Sequence, residues 1–196
     1  MEKEGLAPYK KNARRLGASL VFIDESGFCL IPSVVRTWAP RGQTPVLRHR
    51  YQRDKVSVIS GISVSPRRFR LGLYFRLHDQ NIGQKQVCAF LSHLLRHLHG
   101  PLLVLLDNSS THKGKPLQRL LGRNPRLHIE YFPAYAPELN PDEGVWTLAK
   151  RALANGRPDD FLELVTDISL ALEGIAGAAA KLRGCIQQSD LPPFLP

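Results

Sequence analysis

Two short apolar runs in this 196-residue chain end in aspartate, and a glutamate follows downstream. The runs are Leu20-Val21-Phe22-Ile23-Asp24 and Leu102-Leu103-Val104-Leu105-Leu106-Asp107. The glutamate lies in Ala136-Pro137-Glu138-Leu139-Asn140-Pro141-Asp142-Glu143-Gly144-Val145-Trp146, with 35 residues between Asp107 and Glu143. Carboxylates delivered by two strand ends and a helix start can hold a pair of hard cations, an arrangement suited to in-line attack on a phosphodiester. Each residue also has a plainer reading. Asp24, before Glu25-Ser26-Gly27, and Asp107, before Asn108-Ser109-Ser110, could each be a turn or cap residue. Asn140 as N-cap, Pro141 at N1 and Glu143 at N3 make a capping-box pattern, and Asp142 competes with Glu143 for a metal role. His112 is either a phosphate contact that helps orient a substrate or a loop-packing histidine. Trp146 reads as core rather than as a base-stacking ring.

Those carboxylates need a sheet to position them. Residues 18–23 are apolar with β-branched and aromatic members, which predicts a buried strand. Residues 36–50 predict a hairpin-like excursion around the turn Pro40-Arg41-Gly42-Gln43. Two more strands are expected over 56–64 and 70–77, joined at Pro66-Arg67-Arg68. In 81–99 the period changes: Val87, Phe90, Leu91, Leu94, Leu95 and Leu98 follow helical spacing up to Gly100-Pro101. A fourth strand over 102–106, a short helix over 116–121, a fifth strand over 127–132 and a helix over 140–154 follow. Residues 161–188 predict a last helical region, with Gly174, Gly177 and Gly184 as points of interruption. Three strands joined by consecutive hairpins and then crossovers make an α/β fold, a mixed five-stranded sheet flanked by helices. Asp24 and Asp107 then fall at the C-terminal ends of neighbouring parallel strands, where open α/β sheets bind ligands.

Hydrophobic content of 43% and charge of 22% exclude a disordered chain. The net charge of +10 favours a polyanionic partner, nucleic acid ahead of membrane. Arg36, Arg41, Arg48, Arg50, Arg53, Lys55, Arg67 and Arg68 form a candidate tract for a DNA backbone, with a solvated face as the alternative for any one of them. Three scattered cysteines support neither a zinc ribbon nor a disulfide framework and fit a reducing compartment. No apolar leader follows Met1, and no segment has the apolar length of a membrane span.

Three segments together closely resemble the catalytic domain of mariner-like insertion-sequence transposases of the DDE superfamily. They are Phe22-Ile23-Asp24-Glu25-Ser26-Gly27-Phe28, Leu106-Asp107-Asn108 with His112, and Tyr135-Ala136-Pro137-Glu138-Leu139-Asn140-Pro141-Asp142-Glu143 with Trp146. The segment from Trp38 to Pro45 also looks like the family's hairpin after the first strand. The resemblance covers about residues 18–154. It implies a ribonuclease-H-like fold and magnesium-dependent cleavage and strand transfer of DNA. It places the catalytic and metal-holding triad on Asp24, Asp107 and Glu143, choosing Glu143 over Asp142 because the family's glutamate follows an Asn-Pro-x step. Two Mg²⁺ ions are expected, with Mn²⁺ as a substitute, and His112 joins the basic residues as a DNA-contact candidate. It further implies double-stranded DNA as partner (element ends and target), a homodimer on DNA, and a cytoplasmic, nucleoid-associated bacterial protein.

On this reading residues 1–17 are a basic lead-in, 18–156 the ribonuclease-H-like catalytic domain and 157–196 a C-terminal helical region with a tail. The family's N-terminal helix-turn-helix has no identifiable counterpart ahead of Asp24. A frameshift-fused upstream domain or a separate helix-turn-helix protein is the expected source of end recognition. The rival functions are a non-catalytic DNA-binding remnant or accessory protein, and a ribonuclease-H-like nuclease acting on other nucleic acids.

Overall fold

The computed structural model describes residues 7–30, 34–44, 46, 55–156, 158–191, 193 and 195. Helix α1 (Ala7–Leu16) carries the basic lead-in and buries Ala13. Strand β1 (Ser19–Cys29) follows, then β2 (Lys55–Val64) and β3 (Leu71–His78). Next come α2 (Gln84–His97), β4 (Leu102–Leu106), α3 (Lys115–Arg123), β5 (Leu127–Tyr131) and α4 (Asp142–Ala152). Two further helices close the chain, α5 (Phe161–Ala176) and α6 (Ala179–Gln188), separated at Gly177-Ala178. The expected five strands and their order are present, in one sheet with the spatial order β3-β2-β1-β4-β5. β1 runs antiparallel to β2 and β2 to β3, whereas β1–β4 and β4–β5 are parallel, as hairpins and crossovers require.

The strand pleat divides the core in two. Leu20, Phe22, Val58, Ile62, Leu103 and Leu105 face α4, α5 and α6, while Val21, Ile23, Ile59, Val104 and Leu106 face α2 and α3. β4 is buried at all five positions, which is why it reads as an unbroken apolar run. The Arg126 guanidinium donates to the carbonyls of Leu95, Leu98 and Gly100 and so satisfies the frayed end of α2.

Helices α5 and α6 belong to this core. Leu164, Ile168, Leu172, Ile175, Leu182, Cys185 and Ile186 are all buried in it. α4 and α6 pack closely at one point: a Cβ on Gly144 would stand 2.9 Å from both Cβ and Sγ of Cys185. Only glycine lets the two helices pack this closely.

Two expectations change. β1 does not end near Asp24 but continues five residues to Cys29. Its parallel pairing with β4 stops at Phe22–Leu105, and antiparallel pairing with β2 carries it on through Glu25–Ile59, Ser26–Val58 and Gly27–Ser57. Of the hairpin over 36–50, the described part holds the turn, closed by Gln43 N–H donating to Pro40 O at 3.0 Å with Gly42 at φ 83°. No strand flanks it among the described residues.

Candidate active site

Consecutive residues of a strand face opposite ways, so Asp24 and Glu25 leave β1 on different sides of the sheet. Asp24 faces α4. Its Oδ2 accepts a hydrogen bond of 2.9 Å from Nε1 of Trp146, one turn into that helix. Trp146 is buried and meets Phe28 edge-on, so the expected core role is present together with a polar one. Asn140 ties the start of α4 to β1: its Nδ2 donates to Ile23 O at 3.0 Å and its Oδ1 accepts from Asp142 N–H at 3.2 Å. The expected capping box is not formed. Asn140 N–H donates instead to Pro137 O, and the side chain of Glu143 does not reach back to it. Glu143 is left exposed in the first turn of α4, where the helix dipole favours an anion. Asp142 has turned the other way and is fully buried, its Oδ2 accepting from Ser60 Oγ at 2.5 Å. Burial pushes its carboxyl well up, which the Ser60 hydroxyl only partly offsets.

Asp107 follows the last residue of β4 and caps its own loop, with Oδ1 accepting from Ser109 N–H at 3.1 Å. It also pairs with Nδ1 of His112. The other ring nitrogen, Nε2, lies 3.0 Å from Glu25 Oε1, and Tyr131 Oη holds the His112 carbonyl at 2.8 Å. Burial opposes the imidazolium, but hydrogen bonds to Asp107 and Glu25 outweigh it and lift His112 to about 10. The same bond holds Asp107 below the usual carboxylate range. His112 is 2% exposed with both nitrogens engaged. These contacts fit the loop-packing alternative: His112 braces the loop of Asp107 against β1.

Asp24, Asp107 and Glu143 line one cleft of about 380 Å³, together with Asn108, Ser109, Asn140 and the segment Phe132-Pro133-Ala134-Tyr135-Ala136-Pro137. The sequence contacts that build it span 117 residues from Asn140 to Ile23 and 122 from Trp146 to Asp24. Burial, then the charge of Glu143, pushes the Asp24 carboxyl up to about 7. A cleft that raises a carboxyl in this way is short of positive charge, so its donor set fits a divalent cation with oxygen ligands. No three His, Cys, Asp or Glu side chains among the described residues already stand close enough to enclose one. Tyr135 at the rim has φ 58°, a left-handed backbone that costs a side-chain-bearing residue about 1–2 kcal/mol.

Among the described basic candidates, Lys55 and the pair Arg67 and Arg68 lie at opposite ends of β2. Lys55 begins β2 opposite Cys29, at the cleft's end of the sheet. Arg67 and Arg68 sit in the β2–β3 turn beyond Val64, at the far end of β2, roughly 30 Å away at 3.3 Å per residue. Arg68 is half-buried, with Nη1 donating to Ser65 O at 3.4 Å. Arg36 and Arg41 are exposed. Arg48, Arg50 and Arg53 lie outside the described residues. Sequence reasoning did not assign Glu25, Trp146 or Asn140 to the site, although Glu25's place beside Asp24 on a strand already dictates the opposite face.

Residues 19–165 match the family described as DDE superfamily endonuclease. No curated protein matches significantly. Among solved structures, the Mos1 mariner paired end complex with Mn matches at 20% identity and a TM-score of 0.60, over 96% of this chain and 60% of that one. The Mos1 transposase paired-end complex with left transposon end matches at 18% identity and 0.59, over 94% and 59%. A simian T-cell lymphotropic virus intasome in complex with a PP2A regulatory subunit matches at 12% identity and 0.52, over 90% and 57%. The chain spans about 60% of the length of the Mos1 chains in these complexes. At such identities the likeness establishes a shared ribonuclease-H-like fold. Among the described residues no helix is long and apolar enough to cross a membrane.

Proposed function

Because the chain belongs to the DDE superfamily endonucleases, we propose that it is the catalytic part of a DNA transposase, cutting phosphodiesters and joining DNA strands with a divalent metal. The observation that carries this is the convergence of Asp24, Asp107 and Glu143 on one cleft from two strands and a helix start. These three side chains would hold Mg²⁺, or Mn²⁺ in its place, as a pair of ions. When bound, such ions would supply activation of a water or 3′-hydroxyl and stabilisation of the leaving oxygen. The chain's own groups prepare that cleft. Trp146 fixes the rotamer of Asp24 through its indole N–H, and Asn140 fixes the distance between β1 and α4. His112 and Ser109 N–H hold Asp107 ionised and aimed. The N-terminus of α4 adds a positive dipole near the phosphate.

Lys55, at the end of β2 opposite Cys29, and the exposed Arg36 and Arg41 contact the DNA backbone. Arg67 and Arg68 serve a second segment of DNA at the opposite end of the sheet. Two copies pairing element ends, with end recognition by a helix-turn-helix module in cis or in trans, complete the reading; the pairing of ends in the similar Mos1 complexes supports the first part. The test is plasmid nicking by the purified protein with Mg²⁺ or Mn²⁺ beside Glu143→Gln. Metal-dependent nicking that the variant lacks is expected. Metal-dependent nicking that survives in Glu143→Gln, or cleavage confined to RNA–DNA hybrids, would overturn the proposal.

A further inference from the structure

Outside the cleft, His93 and His97 stand one turn apart at the C-terminal end of α2. At that spacing two side chains share a helix face. Their imidazole rings lie 4.2 Å apart between centroids, and both border the ring of Tyr74 on β3, at 6.2 and 6.1 Å. Neither packs the core, a task that α2 gives to Val87, Phe90, Leu91, Leu94 and Leu95. His93 is half-buried and His97 exposed, so the pair opens to solvent.

Hydrogen bonds fix which nitrogens are available. His97 Nδ1 donates to the carbonyl of His93 at 2.9 Å, which leaves the lone pair of the neutral ring on Nε2. Histidines that ligate metals are oriented in this way, with the second nitrogen tied to a carbonyl or carboxylate. His93 Nδ1 accepts from Nη2 of Arg76 at 3.4 Å, near the far limit of such a bond. Burial, then the charges of His97, Arg76 and Arg96, hold the His93 imidazole below its usual value. The ring is therefore neutral at neutral pH, and no proton has to be displaced to solvent before it ligates.

We infer that His93 and His97 form a bidentate site for a divalent transition ion of the zinc, nickel and copper class, separate from the carboxylate cleft. Imidazole nitrogen suits these ions, whereas the oxygen donors of the cleft suit Mg²⁺ and Mn²⁺, so donor chemistry sorts the metals between two places in one chain. No third His, Cys, Asp or Glu side chain joins the pair among the described residues, and water completes the shell. Ligation through Nε2 of His93 moves that ring's proton to Nδ1 and turns Arg76 away. Arg76 thus opposes the ion both by its charge and by its hydrogen bond, and Arg96 adds to the charge. The site is remote from the reaction: α2 leads into the N-terminal end of β4, and the cleft opens past the other end, roughly 17 Å along at 3.3 Å per residue. An ion held here staples the last turn of α2. The inference stands apart from the proposed function and does not rest on it.

The test is titration of Ni²⁺ into the tag-free protein, with excess Mg²⁺ present to occupy oxygen sites, read by calorimetry and by melting temperature. The proteins are the wild type, His93→Gln, His97→Gln and Arg76→Gln. One ion per chain is expected, raising the melting temperature by about 5–10 °C at a hundredfold excess of free ion over Kd. Each histidine variant should weaken binding at least about tenfold, with the metal-free melting temperature unchanged. His97→Gln, the exposed change, decides the matter if His93→Gln is destabilised. Arg76→Gln should strengthen binding by about threefold or more, because a charge is gone and an amide oxygen can accept from Nδ1–H of His93. With Cu²⁺ as a second probe, electron paramagnetic resonance should show two imidazole nitrogens in the wild type and one in each histidine variant. Ni²⁺ binding that survives in His97→Gln, or that Mg²⁺ displaces, would overturn the site. So would weaker binding in Arg76→Gln, or a Cu²⁺ spectrum that is the same in the wild type and the histidine variants.

Discussion

On β1, Asp24 and Glu25 follow one another and face opposite sides of the sheet, and their surroundings treat negative charge in opposite ways. Glu25 meets a buried imidazolium, His112, that it shares with Asp107. Asp24 is buried beside a second carboxylate, Glu143, and its carboxyl is pushed up to about 7 despite hydrogen bonds from the Trp146 indole and the Glu25 backbone. One face is neutralised from within the chain. The other gathers negative charge with no cationic side chain against Asp24 among its described contacts. The difference separates a group that braces the fold from the group that the proposed function assigns to a cation, although both are acids one residue apart.

The comparison breaks most visibly at Asp24. Asp24→Asn should reduce metal-dependent nicking by at least about 10³-fold, because a cation clamp depends on each of its carboxylates. It should also stabilise the metal-free protein. A carboxyl with a folded-state pKa near 7 and an ordinary unfolded value costs stability progressively as pH rises from about 4 to 7, and the cost stays constant above. Thermal melts at pH 8 should therefore show a gain of about 1–3 kcal/mol, discounted for partial exposure, that disappears at pH 4. A loss of stability at pH 8 would mean Asp24 is braced like Glu25.

His112→Ala should go the other way. It leaves Glu25 and Asp107 without their partner and should cost about 2 kcal/mol in denaturant unfolding at pH 7, since both acids keep some solvent. The imidazole's folded pKa is raised to about 10, so its contribution is complete below about pH 6.5 and lost as pH rises through 10. The gap between wild type and variant should close at that end.

Trp146→Phe sharpens the Asp24 side without removing charge. It keeps most of the buried ring and deletes the donor to Oδ2. A roughly tenfold loss of nicking with less than about 1 kcal/mol change in stability is expected, as for loss of a group that orients a ligand. The smallest effects belong to the surface: Lys55→Ala and Arg67→Ala should each lower the slope of log binding constant against log salt by about one, without changing kcat. An unchanged slope for Arg67→Ala would place the far turn outside the DNA path.

Much of this was legible in the residues because hydrophobic period is a local property. The helical spacing from Val87 to Leu95 and the unbroken run of β4 announce their elements, and the order of elements dictates a mixed sheet. The continuation of β1 past Asp24 was not legible, because Glu25-Ser26-Gly27 has the look of a turn. What holds it extended is pairing with Ile59, Val58 and Ser57, which is a property of β2. The carboxylate cleft was found from three motifs; its supports were not. Trp146 shows a core tryptophan in sequence, and its indole donor acquires meaning only when α4 is laid across β1. The capping-box pattern at Asn140 was misleading for a similar reason: the asparagine amide is used by Ile23, 117 residues away.

The contact between Gly144 and Cys185 gives the molecule a built-in chemical clock. Burial, then the charge of Asp142, lifts the Cys185 thiol to about 11, so at neutral pH it is both shielded and almost wholly protonated. Cys29 is exposed and Cys88 partly so. With those two replaced by serine, a thiol reagent can reach Cys185 only when α6 lifts away from α4. Its modification rate then times the opening of the helix whose first turn presents Glu143, with no DNA and no metal in the tube.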